Sequence, residues 1–429
     1  MLSSVFRPFR PRVVRVGFPA FVIALLVLSG CDLTEETSQS PQSPNFEVTN
    51  DLESRITDLS GGTRSTAARV TATAESNFSV SGVARVKPPE VEKNGNSYQT
   101  KASHLSFNDA GDDRVFVGYK IRGAPYGGGI DVLDADEPKN LRSTNSIETD
   151  NLDVQEVIDD PDAGAEYVAG ALETKREVVS PAVLTKLSIS GGNTSVESHE
   201  RLSGNVAKSV VNAPSGDDQH DLFVVTDENA LYEYNSSLGN ENKYTVSDDV
   251  EFSSITAHQQ GYRIMLTQSG ALWTSDFSSE PSKSDQTLKE SAEIRPRGIA
   301  RLTTSHYESS GEDFVYAALN TGGFRVLDGD VDEELFSRTE GDYTSVSAPD
   351  GGNYLYASRT DGRVEVYEFD GNDPSSLSSD DDPIATINTA DYQDGSSAGQ
   401  SNQVLAVGSY LYIANGSGGT LVLEVNDGS

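Results

Sequence analysis

Apolar and polar residues alternate along most of the chain in short runs that are separated by glycine-containing turns. Two runs and one turn form a motif, as in LFVVTDENALYEYN at 222–235 and FVYAALNTGGFRVLDGD at 314–330. Alternation with a period of two is typical of β-strands. The motif recurs seven times, at 114–136, 166–190, 222–235, 262–277, 314–330, 354–371 and 410–425.

The spacing of the motif predicts a ring of small sheets. Phe116 and Leu411 hold matching positions in the first and seventh motifs and lie 295 residues apart, about 49 residues per repeat. Periods of about 40–50 residues with four short strands per unit are typical of β-propellers. Candidate inner strands precede the motifs and outer strands follow most of them. The sequence therefore predicts an all-β fold, a seven-bladed β-propeller at 77–429, whereas a solenoid of this period would need distinct caps.

The seventh repeat lacks an outer strand of its own. The segment NFSVSGVARV at 77–86, which precedes the first repeat, has the alternation and length of such a strand. Its pairing with the last repeat would join the two ends of the ring and leave no exposed sheet edge. We therefore expect this N-terminal strand to complete the seventh blade.

Several repeats carry Gly-Gly turns followed by an apolar strand. The clearest are IDVLDADEPKNL (130–141), TGGFRVLD (321–328) and YLYIANGSGGTLVLEV (410–425). These segments resemble the LVIVD-repeat propellers of bacterial surface and exported proteins. Repeats two to four depart from that pattern, so the resemblance covers less than half of the chain. It implies a propeller that acts as a binding or surface module, and a shared fold alone implies no chemistry.

The first thirty residues have the organisation of an export signal. Four arginines precede the apolar stretch GFPAFVIALLVL at 17–28, which is short for a ~30 Å hydrocarbon core. The following Ser-Gly-Cys ends at Cys31, the single cysteine. The segment resembles the lipobox of bacterial lipoproteins, which implies a signal peptide at 1–30, a lipid on Cys31 and a protein anchored to the cell envelope. A cleaved signal peptide with an incidental cysteine is the alternative.

The segment after the cysteine is polar and lacks a sustained apolar period. Its composition, rich in Ser, Thr, Gln, Asn and Pro, predicts a disordered tether at 31–76. The pattern DLESRITDL at 51–59 predicts one short helix within it.

The chain is strongly acidic, with 67 Asp and Glu against 32 Lys and Arg and a formal charge of −35. All the acidic residues follow Cys31 and four basic ones precede it, so the chain from Cys31 onward carries −39. Mutual repulsion at this charge is screened when the Debye length falls to about 3 Å in molar salt. The composition therefore predicts a halophilic exported protein, and it disfavours nucleic acid as a partner.

The order of strands sorts the turns between two faces of the ring. With strands a to d counted from the inside outward, turns a–b and c–d form an acidic face, while turns b–c and d–a form a mouth face that mixes charges. Arginine binds planar anions through two hydrogen bonds and tyrosine adds rigid contact area, so a ligand is expected at the mouth face. The candidate ligand-facing residues are Arg122, Tyr126, Arg176, Arg295, Arg297, Arg359 and Tyr392. Because the strand at 77–86 starts at the acidic face, the tether is expected there and the mouth face away from the membrane.

Catalytic and metal-binding patterns are scarce in the sequence. The five histidines show no HxH or HExxH spacing, and the strand order places His220, His258 and His306 away from the mouth face. The sequence therefore predicts no catalytic residue and no cofactor. One turn matches the first acidic positions of a calcium loop but has Glu where that loop needs Gly, so a solvated turn is favoured over Ca²⁺. Its acidic side chains are Asp328, Asp330 and Asp332.

Three functions fit these observations. The leading hypothesis is a lipid-anchored, non-catalytic binding or scaffold module for a protein, peptide or glycan partner outside the cytoplasm. The second is a channel-mouth enzyme, either a metal-dependent lactonase-like hydrolase or a quinoprotein, which needs histidines and carboxylates that converge on the mouth face. The third is a structural envelope protein without a ligand.

Overall fold

The structure is a computed structural model. It describes residues 43–49, 51–60, 78–108, 113–141, 143–160, 163–174, 180–190, 193–213, 221–239, 242–246, 250–257, 262–276, 282–287, 300–307, 312–349, 352–369, 373–378, 381–393 and 399–426. Contacts divide the chain into Met1–Gln42 and Ser43–Ser429, and the described residues all belong to the second unit. No helix in the described part of the chain is long and apolar enough to cross a membrane. The predicted signal peptide and Cys31 lie outside the described residues.

The regular elements are almost all strands. The elements before the first blade are β1 (Glu47–Thr49), α1 (Leu52–Arg55), β2 (Ile56–Asp58), β3 (Ser79–Val86), β4 (Glu90–Lys93) and β5 (Asn96–Gln99). Blades one to three contain β6 (Lys101–Asn108), β7 (Arg114–Lys120), β8 (Gly128–Asp134), β9 (Ser143–Thr149); β10 (Leu152–Asp160), β11 (Ala165–Leu172), β12 (Ala182–Ser190), β13 (Asn193–Arg201); and β14 (Ala207–Ala213), β15 (Asp221–Thr226), β16 (Ala230–Asn235), β17 (Asn242–Thr245).

The remaining blades continue in the same order. Blades four to seven contain β18 (Phe252–Ala257), β19 (Tyr262–Thr267), β20 (Ala271–Asp276), β21 (Ser282–Thr287); β22 (Arg301–Tyr307), β23 (Glu312–Ala318), β24 (Phe324–Asp328), β25 (Glu334–Arg338); β26 (Tyr343–Ser347), β27 (Tyr354–Arg359), β28 (Arg363–Glu368), β29 (Ala385–Asn388); and β30 (Gln403–Val407), β31 (Tyr410–Ala414), β32 (Thr420–Asn426). Short 3₁₀ helices lie at Pro138–Asn140, Pro374–Ser376 and Thr389–Tyr392.

These sheets form the predicted seven-bladed β-propeller. Each blade is antiparallel, and its strands pair in chain order from the inside outward. The inner strands β6, β10, β14, β18, β22, β26 and β30 contact one another in that cyclic order, and β30 contacts β6. The first residues of the inner strands therefore surround one end of a central channel.

The ring is closed by the N-terminal strand, as predicted. In the seventh blade β3 pairs antiparallel with β32, from Ser79 opposite Asn426 to Val86 opposite Thr420. The two ends of the propeller thus share one sheet. Because β3 takes the outer position, β32 has a hydrogen-bonded neighbour on each side.

The core lies between the blades, because each sheet is covered on both faces. In β7 the side chain of Phe116 packs with Val154 and Val168 of the second blade. Its neighbours Val115 and Val117 point the other way and pack with Tyr412 of the seventh blade. A strand with alternate residues buried against two different neighbours reads as a continuous apolar run, which explains the RVFVGY pattern of this strand.

The N-terminal segment differs from the predicted tether. Residues within Ser43–Ser60 pack on the propeller: β1 adds to the outer edge of β9, and β2 adds to the outer edge of β3. The helix α1 lies between them, within the DLESRITDL pattern. The polar composition of this segment gave no sign of the two strands. The segment joins the sheets through backbone hydrogen bonds, which need no apolar side-chain pattern.

The same segment contradicts the expected position of the tether. Ser79 does begin at the acidic face. However, the backbone oxygen of Ser43, the first described residue, accepts a hydrogen bond of 3.0 Å from Asn151 Nδ2. Asn151 lies in the connection between β9 and β10, at the mouth face. The expectation that the mouth face points away from the membrane therefore loses its support.

Candidate functional site

The inner strands of most blades are bulged close to the mouth face. The pairing register shifts between Ala102 and His104 in the first blade and between Val154 and Glu156 in the second. Equivalent shifts occur in the third, fourth and sixth blades. A bulge inserts one residue and redirects its side chain. The inserted residues are Ser103, Gln155, Lys208, Ser253 and Thr344, and the first four line the cavity described below.

Side chains that follow these bulges fasten each inner strand to the next. Ser209 Oγ accepts a 3.2 Å hydrogen bond from Ile255 N, and Ser254 Oγ accepts a 3.1 Å bond from Leu302 N. Glu156 Oε2 has the same role in the second blade, where it accepts a 2.8 Å bond from Val210 N. These bonds satisfy backbone N–H donors that face the channel. The Glu156 carboxylate therefore has a structural role, because it joins the inner strands of the second and third blades.

A cavity of about 640 Å³ opens at the mouth face. Its walls are the first residues of the inner strands and the b–c turns of the first, fourth and seventh blades. Ligand sites commonly have volumes of about 300–1,000 Å³, so the cavity has the size of a small-molecule site. The mouth face, where the sequence predicts a ligand, therefore has a concavity of that size.

Basic side chains dominate the charge of this cavity. Five of them line it, in a chain whose formal charge is −35. They are Lys101, Lys120 and Arg122 from the first blade, Lys208 from the third and Arg301 from the fifth. The local charge is therefore opposite in sign to that of the whole molecule.

Two carboxylates line the cavity, and both are engaged by neighbouring groups. Asp153 accepts hydrogen bonds from the backbone N–H of Gly123 at 2.6 Å, Gly127 at 3.2 Å and Arg122 at 3.4 Å. These bonds fix the b–c turn of the first blade to the second blade. The turn also holds Arg122 at a φ of 82°, an uncommon conformation for a residue with a side chain.

The cavity shifts the acid–base behaviour of its side chains. Burial, together with the charge of Arg301, lowers the pKa of Lys120 to about 7. Burial raises the pKa of Glu156 to about 7, although Arg301 acts in the opposite direction. Burial and the charge of Arg301 also hold the pKa of His104 well below its usual value. At neutral pH His104 is therefore uncharged, and Lys120 and Glu156 are both close to their midpoints.

His104 is the residue that bears on the enzyme hypothesis. It lies on β6, is 4% exposed and lines the cavity, with Nε2 3.6 Å from Glu156 Oε1. The strand order predicts positions away from the mouth face for His220, His258 and His306 and gives no prediction for His104. In the described residues, no group of three or more His, Cys, Asp or Glu side chains is arranged to hold a metal ion.

The predicted ligand-facing residues are only partly brought together. Arg122 and Tyr126 line the cavity. Arg359 lies at the mouth end of β27 but outside the lining: its guanidinium bonds Glu365 Oε1 at 2.5 Å and stands 5.5 Å from the ring centre of Tyr343. Arg176, Arg295 and Arg297 lie outside the described residues.

Tyr392 also lies away from the cavity. It ends the 3₁₀ helix Thr389–Tyr392 and packs against the seventh-blade core. Its ring contacts the backbone of β3, since a Cβ at Gly82 would stand 3.2 Å from it. This tyrosine supports the closing strand.

The acidic turn after β24 has a structural role. The carboxylate of Asp328 accepts hydrogen bonds from the backbone N–H of Asp332 at 2.8 Å and of Glu333 at 3.0 Å. Val331 in this turn is 1% exposed and packs in the core between the fourth and fifth blades. Asp328 thus organises a turn around a buried valine.

Sequence reasoning missed most of the basic side chains in the cavity. Lys101, Lys208 and Arg301 lie at or close to the starts of inner strands, whereas the sequence predicts ligand-facing residues in turns. A signal was present: Lys208 and Arg301 are charged residues inside the strand candidates VAKSVVNAP and PRGIARLTT. A charge in a strand that faces the channel is costly unless the channel holds water or a ligand.

Comparison with known proteins supports the fold. No protein-family model matches the chain, and no curated protein matches it. Among solved structures, the chain is similar to the crystal structure of Chaetomium thermophilum Raptor, with 12% sequence identity and a TM-score of 0.52. The similarity covers 81% of this chain and 29% of the Raptor chain. At this identity the likeness shows a β-propeller fold and nothing of partners or activity.

Proposed function

We propose that this protein is a lipid-anchored, extracytoplasmic β-propeller that acts as a non-catalytic binding or scaffold module for a protein, peptide or glycan partner. The β-propeller fold supports a binding or scaffold role in general. The observation that carries the proposal is the open polar cavity at the mouth face, walled in part by the turn with Arg122 and Tyr126. Lipidation at Cys31 is the part of the proposal that rests on the lipobox resemblance.

The enzyme alternative is the less economical explanation of His104 and Glu156. Glu156 Oε2 accepts a hydrogen bond from Val210 N, and His104 forms a hydrogen bond with the backbone of Val157. The pair therefore belongs to the fastening of the inner strands, while Arg122 and Tyr126 project from a turn that is free to meet a partner. Backbone hydrogen bonds to Asp153 hold this turn in place, and a fixed turn lowers the entropic cost of binding.

Two measurements test the proposal. Metabolic labelling with palmitate and membrane fractionation should mark the wild-type protein and retain it at the membrane, and Cys31→Ser should lose both signals. Glycan and peptide arrays should then identify ligands of the wild type that Arg122→Ala/Tyr126→Ala does not bind. Labelling that persists in Cys31→Ser would refute the anchor. Array binding that is unchanged in the double variant would refute the mouth face as the binding site.

A further inference from the structure

The basic side chains in the mouth cavity form a like-charged cluster that the two carboxylates of the cavity neutralise only in part. Lys120 senses the charges of Arg301, Lys208 and Arg122, each of which disfavours its protonated form. In the described part of the chain, none of the cavity's lysines and arginines has a carboxylate oxygen within the 4.0 Å of an ion pair. Like charges held together in a partly buried site destabilise each other by Coulomb repulsion.

The acceptors in the cavity do not remove this repulsion. Arg301 donates to the neutral Gln403 Oε1 and to the backbone oxygen of Ser103. Lys120 Nζ donates to the neutral Gln155 Oε1. Asp153 attracts Lys120 and Glu156 attracts Arg301, so the two carboxylates offset part of this repulsion. Both also accept backbone N–H groups, three at Asp153 and one at Glu156, and five cations face these two carboxylates. The cluster therefore retains both charge and donor capacity that face the cavity.

We infer that the mouth cavity binds a compact oxyanion ligand with at least two negative charges, a di- or tricarboxylate or a phosphorylated small molecule, held by Lys120, Lys208 and Arg301. This inference deepens the proposed function and rests on it. Lysine and arginine from the first, third and fifth blades line the cavity from different sectors of the ring, so a ligand with a single negative charge would leave most of their positive charge unbalanced. Ser253, Gln268 and Asn402 add neutral polar groups between them.

The negative charge of the rest of the molecule affects the approach of an anionic ligand. A chain with formal charge −35 repels anions at long range. This repulsion is screened beyond about 3 Å in molar salt, whereas direct hydrogen bonds between guanidinium or ammonium groups and an oxyanion act at contact distance. The cavity is therefore suited to take up an anion from a concentrated salt solution.

The test is calorimetric titration of the purified full-length protein with citrate, inorganic phosphate and acetate at constant ionic strength. Citrate or phosphate should bind at least tenfold more tightly than acetate, because acetate carries a single charge. The stronger of the two identifies a carboxylate or a phosphate ligand. Equal binding of all three anions, or no binding of any, would overturn the inference.

Matched variants locate the site. Lys208→Gln should weaken citrate or phosphate binding at least tenfold, whereas Lys87→Gln, which removes the same charge from an exposed position outside the cavity, should leave it unchanged. The same loss in both variants would contradict the assignment. Without ligand, Lys208→Gln should melt no lower than the wild type, because it relieves repulsion. A lower melting temperature would show that the Lys208 ammonium stabilises the cavity, which would contradict a like-charged cluster.

The outcome also separates this inference from the proposed function. A neutral array ligand that requires Tyr126, combined with no citrate or phosphate binding, would reject the oxyanion and keep the mouth face as a binding site. Absence of mouth-dependent binding of every kind would reject both.

Discussion

Ser79 and Asn426 lie opposite each other in one antiparallel strand pair, although 347 positions separate them in the chain. Their pairing joins the N-terminal strand β3 to the last strand of the propeller. A propeller closed in this way unfolds as a unit, because loss of β3 exposes the edge of β32 and uncovers the core between the sixth and seventh blades.

We predict that Val80→Asp destabilises the whole ring. Val80 is 2% exposed and packs in the core between the sixth and seventh blades, so the new carboxylate would be buried without a partner at a cost on the order of 3 kcal/mol. Ser79→Asp, next to it but exposed, is the matched control. Thermal denaturation should show one transition at lower temperature for Val80→Asp. An unchanged transition would contradict closure by β3.

The sequence predicted the elements that are held by side-chain burial and missed those that are held by backbone hydrogen bonds. The blades were predictable because their strands are buried between neighbours, as in RVFVGY around Phe116, and such burial leaves an apolar pattern. The closing strand at 77–86 followed from the missing outer strand of the seventh blade. The packing of β1 on β9 could not be predicted, since it depends on backbone hydrogen bonds of a polar segment.

The site was predicted at the level of the face. Arg122 and Tyr126 lie in a turn, where sequence reasoning looked, and both line the cavity. Lys120, Lys208 and Arg301 meet there only because bulged inner strands from different blades converge on the channel. Convergence of residues that are 181 positions apart, as Lys120 and Arg301 are, is a property of the closed ring.

The buried ion pair between α1 and the first blade gives a second prediction. Arg55 donates to both carboxylate oxygens of Asp131, at 2.6 and 3.1 Å, and to Ser146 Oγ at 2.8 Å. Arg55→Met should cost about 3–5 kcal/mol in unfolding free energy, because it leaves a fully buried carboxylate without its cation. The measurement is chemical denaturation, with Glu53→Gln, exposed on the same helix, as control.

The effect of Arg55→Met on stability should depend on pH if it arises from the charge of Asp131. Burial already raises the pKa of Asp131, and loss of Arg55 should raise it further. A raised pKa in the folded state favours folding at low pH, and this contribution is lost as the pH rises through that pKa. The loss of unfolding free energy caused by Arg55→Met should therefore become smaller as the pH falls. It should also be smaller in the double variant Arg55→Met/Asp131→Asn, which has no carboxylate at this position. Equal penalties at all pH values would exclude an electrostatic origin.

Salt should stabilise the propeller. The formal charge of −35 produces repulsion between acidic turns, and the Debye length shortens from about 10 Å at 0.1 M to about 3 Å at 1 M salt. We expect the melting temperature to rise with NaCl between these concentrations and to rise equally with KCl. A melting temperature that is independent of salt would refute the halophilic interpretation. A response to millimolar Ca²⁺ alone would instead support a calcium site at Asp328, Asp330 and Asp332.

Lys120 and Glu156 should make the unliganded protein least stable near neutral pH. The pKa of Glu156 is raised from 4.5 to about 7, so its stabilising contribution is complete below 4.5 and is lost as the pH rises through 7. The pKa of Lys120 is lowered from 10.5 to about 7, so its contribution is complete above 10.5 and is lost as the pH falls through 7. Both penalties apply in full only around pH 7.

Lys120→Met separates the two groups. The substitution removes the stability cost of a charged Lys120, which arises from burial and from the charges of Arg301, Lys208 and Arg122. It also removes the attraction between Lys120 and Asp153, which opposes that cost. The variant should therefore melt above the wild type at pH 6 and 7, and the difference should narrow steadily between pH 8 and 10.5. Citrate, which carries at least two negative charges at both pH values, should raise the wild-type melting temperature more at pH 6 than at pH 8.5, since Lys120 is charged and Glu156 neutral at the lower pH. A variant that melts below the wild type at pH 6 would show that the Lys120 ammonium stabilises the cavity, contrary to a repelling cluster that awaits an anion.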